Sequence, residues 1–229
     1  GSGNETQAHL TADGRITTYS VHQVVHDAVK PVVAATSTPG AALTGTGAAL
    51  RLWVVNRDND SVSVVDPATR KLIREIPTGN SPEGVAIAPN GRVWVVNRGS
   101  GTISIINPKT AKVVKTVRLL RGSAPYGIPF LPNGNAMVTL EARQAVSILS
   151  PSGTLLKTTA SASKLRHVVY DRTRDRVIAS QFVSPPVPGE STEKVDVAKG
   201  AGLLHLLDRS ASRKGTIRLA YDRSAESEA

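Results

Sequence analysis

Cysteine is absent from the 229 residues. That excludes disulfides, thiolate metal sites, cysteine nucleophiles and thioether-linked haem within the chain. Aromatic residues are scarce, with two Trp, four Tyr and two Phe, so a core must be built from Val, Ile, Leu and Ala. The same scarcity disfavours a single-strand nucleic-acid binder, which needs stacking rings beside its charges. No apolar run is long enough for a transmembrane helix, and no signal peptide is visible. The chain has no Walker loop, no Gly-x-Ser-x-Gly elbow and no His-Glu-x-x-His pattern. Gly45-Thr46-Gly47 lacks the third glycine and the following helix of a dinucleotide fingerprint. Neither a cofactor, a metal nor a catalytic residue is therefore expected.

What the chain does have is positive charge: 28 Lys and Arg against 18 Asp and Glu, a net +10. Such a balance favours acidic partners through long-range attraction. Arg172, Arg174 and Arg176 cluster in one predicted turn. Lys109, Lys115 and Arg121 are expected to share one face of a strand. Nucleic acid remains a possible partner on charge alone, against the shortage of rings.

The second positive feature is repetition. Residues 52–56 read Leu-Trp-Val-Val-Asn and residues 93–97 read Val-Trp-Val-Val-Asn, which sets Trp53 and Trp94 41 residues apart. The segments 61–67 and 102–108 match at the same offset. A third copy follows at an offset of 43, mapping Gly84 onto Gly127 and Pro89-Asn90-Gly91 onto Pro132-Asn133-Gly134. A fourth, more divergent copy runs from about Arg166 to Leu219. Each copy holds four short apolar runs parted by turn residues; in the second they are 84–88, 92–97, 102–106 and 112–119. Runs rich in β-branched residues, joined by Asn-Gly and Asn-Pro turns, are antiparallel strands. Four strands per unit of this length predict an all-β chain of β-propeller blades.

The Trp-Val-Val-Asn strand, the Ser-Val-Ser-Val-Val-Asp-Pro-Ala-Thr that follows and the Pro-Glu-Gly-Val-Ala-Ile-Ala-Pro-Asn-Gly of the next unit together resemble the YVTN-type β-propeller repeat. The motif fades to Met137–Leu140 and Val177–Ser180 in the later copies. The resemblance covers roughly residues 39–220. It implies membership of a family of mostly seven-bladed propellers, often secreted by bacteria and in some cases fused to cytochromes or surface modules. Blades are expected at 39–79, 80–121, 122–162 and 163–220, with a tail at 221–229. The segment 1–38 would add half a blade, with strands at 16–21 and 31–36. About four and a half blades leave three alternatives: the remaining blades lie elsewhere in a longer protein, come from another chain, or are not needed.

Loops on a rigid scaffold carry function. With the four runs of each copy taken in order as strands A, B, C and D, the repeat identifies the equivalent loop positions on the face where strand A begins and strand B ends. Just after strand B stand Arg57, Arg98, Glu141 and Gln181; just before strand A stand Glu83, Tyr126 and Arg166, with His167 beside it. These eight form a candidate binding rim, in which Arg57 and Arg98 are expected to fork onto a carboxylate or phosphate. Asn56 and Asn97 are expected to be turn residues bonding nearby backbone. A Pro-rich insertion at 183–201 opens on the same face and suggests a lid or partner contact. His22 and His26 have metal-compatible spacing but no third ligand; His205, in the apolar run 203–207, is expected to be packed. The leading expectation is a non-enzymatic scaffold, periplasmic or extracellular in a bacterium, that binds a protein partner, a fused module or the rest of its own propeller. The alternative is part of a lactonase-like or redox propeller enzyme whose site needs residues outside this chain.

Overall fold

A computed structural model describes residues 40–182 and 202–219, together with the backbone of two N-terminal strands. Those two, β1 (Glu5–Leu10) and β2 (Ile16–Val21), pair antiparallel. The expected strand at 31–36, the His22/His26 pair and the insertion at 183–201 lie outside the described residues.

Four antiparallel sheets follow in chain order. The first holds β3 (Ala41–Thr44), β4 (Arg51–Asn56), β5 (Ser61–Asp66) and β6 (Lys71–Pro77). The second holds β7 (Pro82–Ile87), β8 (Val93–Asn97), β9 (Thr102–Asn107) and β10 (Lys112–Arg118), close to the runs expected from sequence. The third holds β11 (Ala136–Leu140), β12 (Ala145–Leu149) and β13 (Leu155–Ala160). The fourth holds β14 (Leu165–Asp171), β15 (Arg176–Gln181), β16 (Leu203–Leu207) and β17 (Arg213–Arg218). Each sheet is a meander of neighbouring strands, so each is one blade.

The third blade departs from the expected four continuous strands. Its innermost segment makes only isolated bridges, Pro125 to Leu140 and Phe130 to Ala136. The cause is covalent: Pro125 and Pro129 carry no N–H for the ladder. Hydrogen bonds from Tyr126 N–H to Thr139 O (3.0 Å), from Thr139 N–H to Gly127 O (3.1 Å) and from Met137 N–H to Pro129 O (3.0 Å) keep the segment in the strand A place.

Three apolar cores lie between the four blades. Trp53, Val62, Val64 and Ile76 of the first blade meet Val93, Val95 and Ile106 of the second. Trp94, Val96, Ile103 and Ile105 meet Val138, Leu140 and Leu149 of the third. Met137, Val146 and Ile148 meet Leu165, Val168, Val177 and Leu207 of the fourth. Burying each such side chain stabilises the fold by about 1.5–3 kcal/mol. Blades two and three are covered on both faces, so β8 and β11 are buried at every position. That is why Val-Trp-Val-Val lacks polar alternation. Among the described residues, the two outer blades have a neighbour on one face only, and on the other Leu43 and Val169 stand 56% and 59% exposed.

Glycine lets the blades converge at the axis. A Cβ on Gly40 would lie 3.0 Å from Glu83 O, one on Gly84 2.7 Å from Tyr126 O, and one on Gly127 2.4 Å from Arg166 O. Each of these glycines therefore abuts a residue at the start of the next blade's inner strand or segment. In the fourth blade the equivalent position is the exposed His167.

Two further expectations change. Asn56 and Asn97 are buried and bond side chains rather than turn backbone. Asn56 Nδ2 donates to Ser61 Oγ (3.1 Å) and Ser63 Oγ (2.8 Å); Asn97 Nδ2 donates to Thr102 Oγ1 and Ser104 Oγ (both 3.0 Å). Each Asn thus ties the end of strand B to strand C. The shared face of Lys109, Lys115 and Arg121 is broken by a bulge between Val113 and Lys115, which resets the alternation.

Candidate functional site

Strand β7, the segment around Tyr126 and strand β14 enter the axis from the same end. The 3-10 turns Arg57–Asn59 and Glu141–Arg143 follow strand B at that end too. The candidate rim residues are thereby brought together, with one exception. Glu83, Tyr126 and His167 line a cleft of about 300 Å3 with Gly40, Gly84 and Gly127. Ion pairs join Arg57 to Glu83, and join Arg98 and Arg166 to Glu141. Gln181 instead turns into its own blade, its Oε1 2.8 Å from His205 Nε2. His205 is buried, and burial followed by repulsion from Arg213 lowers its pKa from the ordinary 6.5.

The ion pairs follow a rule the repeat predicts only in part. The residue after strand B of one blade reaches a residue at the start of strand A of the next. At the first junction Arg57 Nε lies 3.3 Å from Glu83 Oε1. At the third the signs are inverted: Glu141 accepts from Arg166 Nε (3.0 Å) and Nη2 (3.2 Å). At the second junction the strand A partner is Tyr126, which offers no charge. Arg98 passes it over and donates from Nε to Glu141 Oε2 at 3.3 Å. Glu141 therefore sits between two guanidinium groups.

The two carboxylates are buried, Glu83 at 2% and Glu141 at 6% exposure, and differ in how they are satisfied. Both oxygens of Glu141 accept hydrogen bonds. Burial alone would raise its pKa, but the bonds from Arg166 and Arg98 outweigh that and hold it below the ordinary 4.5. Glu83 uses Oε1 only; its Oε2 is buried without a partner. A buried acceptor with nothing to accept is costly, and this one belongs to a side chain that lines the axial cleft.

Aromatic rings complete the face. Tyr126 and His167 meet edge to face at 5.0 Å between centroids. The Arg166 guanidinium lies over the Tyr126 ring at 5.0 Å and over Phe182 at 3.0 Å. Burial, then the Glu83 charge, raises the Tyr126 phenol above its ordinary 10. Phe182, 48% exposed, was not among the rim residues expected from sequence, although its place one residue after Gln181 was a usable signal. Arg57 and Arg98, expected to fork onto a carboxylate or phosphate, each hold a carboxylate of the chain itself through Nε.

No group of three or more potential metal ligands occurs among the described residues. No helix there is long and apolar enough to cross a membrane. The arrangement is suited to binding: it presents guanidinium groups, one half-satisfied carboxylate and ring faces, all held in place by neighbours.

Four radial antiparallel blades around an axial cleft define a β-propeller. The chain belongs to the YNCE-like beta-propeller family, whose profile matches residues 18–180. A comparison with curated proteins gives no match. Among solved structures, the hydrazine synthase of Kuenenia stuttgartiensis is similar at 19% identity and a TM-score of 0.66, over 86% of this chain and 52% of that one. The present chain thus spans about half the length of that relative. Virginiamycin B lyase from Staphylococcus aureus matches at 15% identity and a TM-score of 0.55, over 82% of this chain and 72% of that one. A protein of unknown function from Bacteroides caccae matches at 16% and 0.54, over 95% and 70%. At these identities the likeness is one of fold.

Proposed function

We propose that this chain is a non-enzymatic propeller scaffold that docks a protein partner, a fused module or further blades of its own propeller on the rim face. In this reading it is a YVTN-type repeat protein of the bacterial periplasm or cell exterior. The observation that carries the proposal is the prefixed rim. Arg57, Arg98 and Arg166 are oriented by Glu83 and Glu141, Tyr126 and Phe182 pack against Arg166, and His167 packs edge to face on Tyr126. Side chains ordered before association lose less freedom on binding, and Tyr and Arg are the residues that dominate interface energetics.

The test uses the native assembly purified with all its chains, its intact mass and its binding constant for this chain. Tyr126→Ala and His167→Ala are the probes, because neither belongs to an ion pair that holds the rim. About tenfold weaker association with unchanged circular dichroism supports the reading. Wild-type association of both folded variants overturns it. The second reading, part of a propeller enzyme, draws on the hydrazine synthase and virginiamycin B lyase folds among the similar structures. A cofactor absorbance band or stoichiometric metal in the native assembly would favour it.

A further inference from the structure

Outside the axial cleft, the same end of the molecule carries a second concavity of about 330 Å3 between blades two and three. One wall is the turn Arg98–Thr102; the other runs from Arg118 through Ala124. Its size falls at the lower end of small-ligand pockets. Three arginines line it: Arg98, Arg118 and Arg121. Among the described residues, Arg118 and Arg121 have no ion-pair partner. Arg143 adds further positive charge at the edge, donating from Nε and Nη2 to Arg121 O at 2.9 and 2.6 Å. The nearby acid, Glu141, is already held by Arg98 and Arg166. The concavity is therefore cationic, with no uncompensated negative charge among its lining side chains.

A second, independent observation lies in the wall. Ser123 is fully buried, and its Oγ has no hydrogen-bond partner. That hydroxyl faces the opposite wall, since a Cβ built on Gly101 would lie 3.4 Å from it. An orphaned hydroxyl between the two walls of a cleft that three arginines line is a donor lacking an acceptor. Leu119 and Leu120 supply apolar surface beside it.

We propose that this inter-blade cleft binds a small oxyanion ester, a phosphate or sulfate monoester. Arg118 and Arg121 fork onto the anionic oxygens, Ser123 Oγ donates from below, and the Leu119–Leu120 wall accommodates the organic part. Guanidinium groups match tetrahedral oxyanions through paired N–H donors. The site is distinct from the protein-docking rim and shares only Arg98 with it.

The test is calorimetric titration of the intact chain at low salt with glycerol phosphate, with inorganic phosphate and sulfate, and with glycerol as the uncharged control. Saturable one-to-one binding of glycerol phosphate and none of glycerol is expected. Arg118→Gln and Arg121→Gln should each weaken it about tenfold, and Ser123→Ala about threefold. Both arginines are exposed, so their variants are expected to fold, which melting curves check. The proposal is overturned by equal binding in the folded Arg118→Gln/Arg121→Gln double variant. It is also overturned by absence of saturation, or by an oligonucleotide that displaces glycerol phosphate at lower concentration than a second monoester does. Rim variants such as Tyr126→Ala should leave this binding unchanged, which separates its failure from failure of the docking reading.

Discussion

The first and third blade junctions solve the same problem with opposite signs. At the first, an arginine after strand B meets a glutamate at the start of strand A; at the third, a glutamate meets an arginine. The third is the better satisfied. Glu141 takes two arginines and uses both oxygens, whereas Glu83 has Arg57 and leaves Oε2 unpartnered. The backbones show the same gradient, since the inner strands approach more closely at Gly127 than at Gly40. The third junction is therefore a tight structural joint. The first retains an unused acceptor beside the axial cleft, which is where a ligand or partner group has something to gain.

Alanine at the converging glycines should separate the two joints most strongly. Gly127→Ala places a Cβ 2.4 Å from a backbone oxygen and 2.9 Å from Val168 N, atoms that cannot rotate away. It should cost about 3 kcal/mol, at the upper end of overpacking effects. Gly40→Ala meets Glu83 O at 3.0 Å and should cost about 1 kcal/mol or less. Urea melts of the two variants give the answer; equal losses would mean the joints are equally tight.

The carboxylates come next. Glu141→Gln puts an amide NH2 among guanidinium donors and should cost about 2 kcal/mol, toward the low side for a buried pair because both arginines are partly exposed. Glu83→Gln can keep its oxygen on Arg57 and turn the amide to the place where no donor exists. It should change stability by less than about 1 kcal/mol. A larger loss for Glu83→Gln would reverse the ranking of the two junctions.

Acid titration sharpens the same contrast. Glu141 has a folded pKa below 4.5, so its contribution is present above that pH and is lost as pH falls through the lower folded value. His205 is also depressed, so the fold that buries it neutral weakens as pH drops below 6.5. Stability should fall in two stages, the first blunted by His205→Gln and the second by Glu141→Gln. A stability curve below pH 4.5 with the same slope in Glu141→Gln and wild type would remove Glu141 from the account.

The sequence shows why these joints were half legible. Repetition at 41 and 43 residues places strands, because β-branched runs and Asn-Gly turns determine local structure whatever lies around them. The same alignment brings the rim residues to one face. It does not show which of them pair, because pairing crosses from one blade to the next and skips the neutral Tyr126. The Asn56 and Asn97 bonds to strand C were hidden for a similar reason. Asn beside a turn ordinarily suggests local backbone capping, and only the register sets Ser61 and Thr102 opposite the two asparagines, with Ser63 and Ser104 two residues further along strand C. The loss of strand pairing at 125–131 was readable from Pro125 and Pro129.

The smallest expected effect concerns a position all three joints share. Just before strand C, the first three blades turn through left-handed backbone at Asp60 (φ 51), Gly101 (φ 64) and Gln144 (φ 46). The second blade alone uses the residue that adopts this conformation without strain. Gln144 also bonds there through its N–H to Glu141 O at 3.1 Å, so the turn that positions the doubly held carboxylate rests on a strained residue. Gln144→Gly removes a Cβ clash worth about 1–2 kcal/mol and adds about 0.5–1 kcal/mol of unfolded-state freedom. The net should be a stabilisation of about 0.5 kcal/mol, seen as a small rise in the urea midpoint with an unchanged slope. A destabilised variant would mean that the Gln144 side chain contributes more to the third blade than its backbone strain costs.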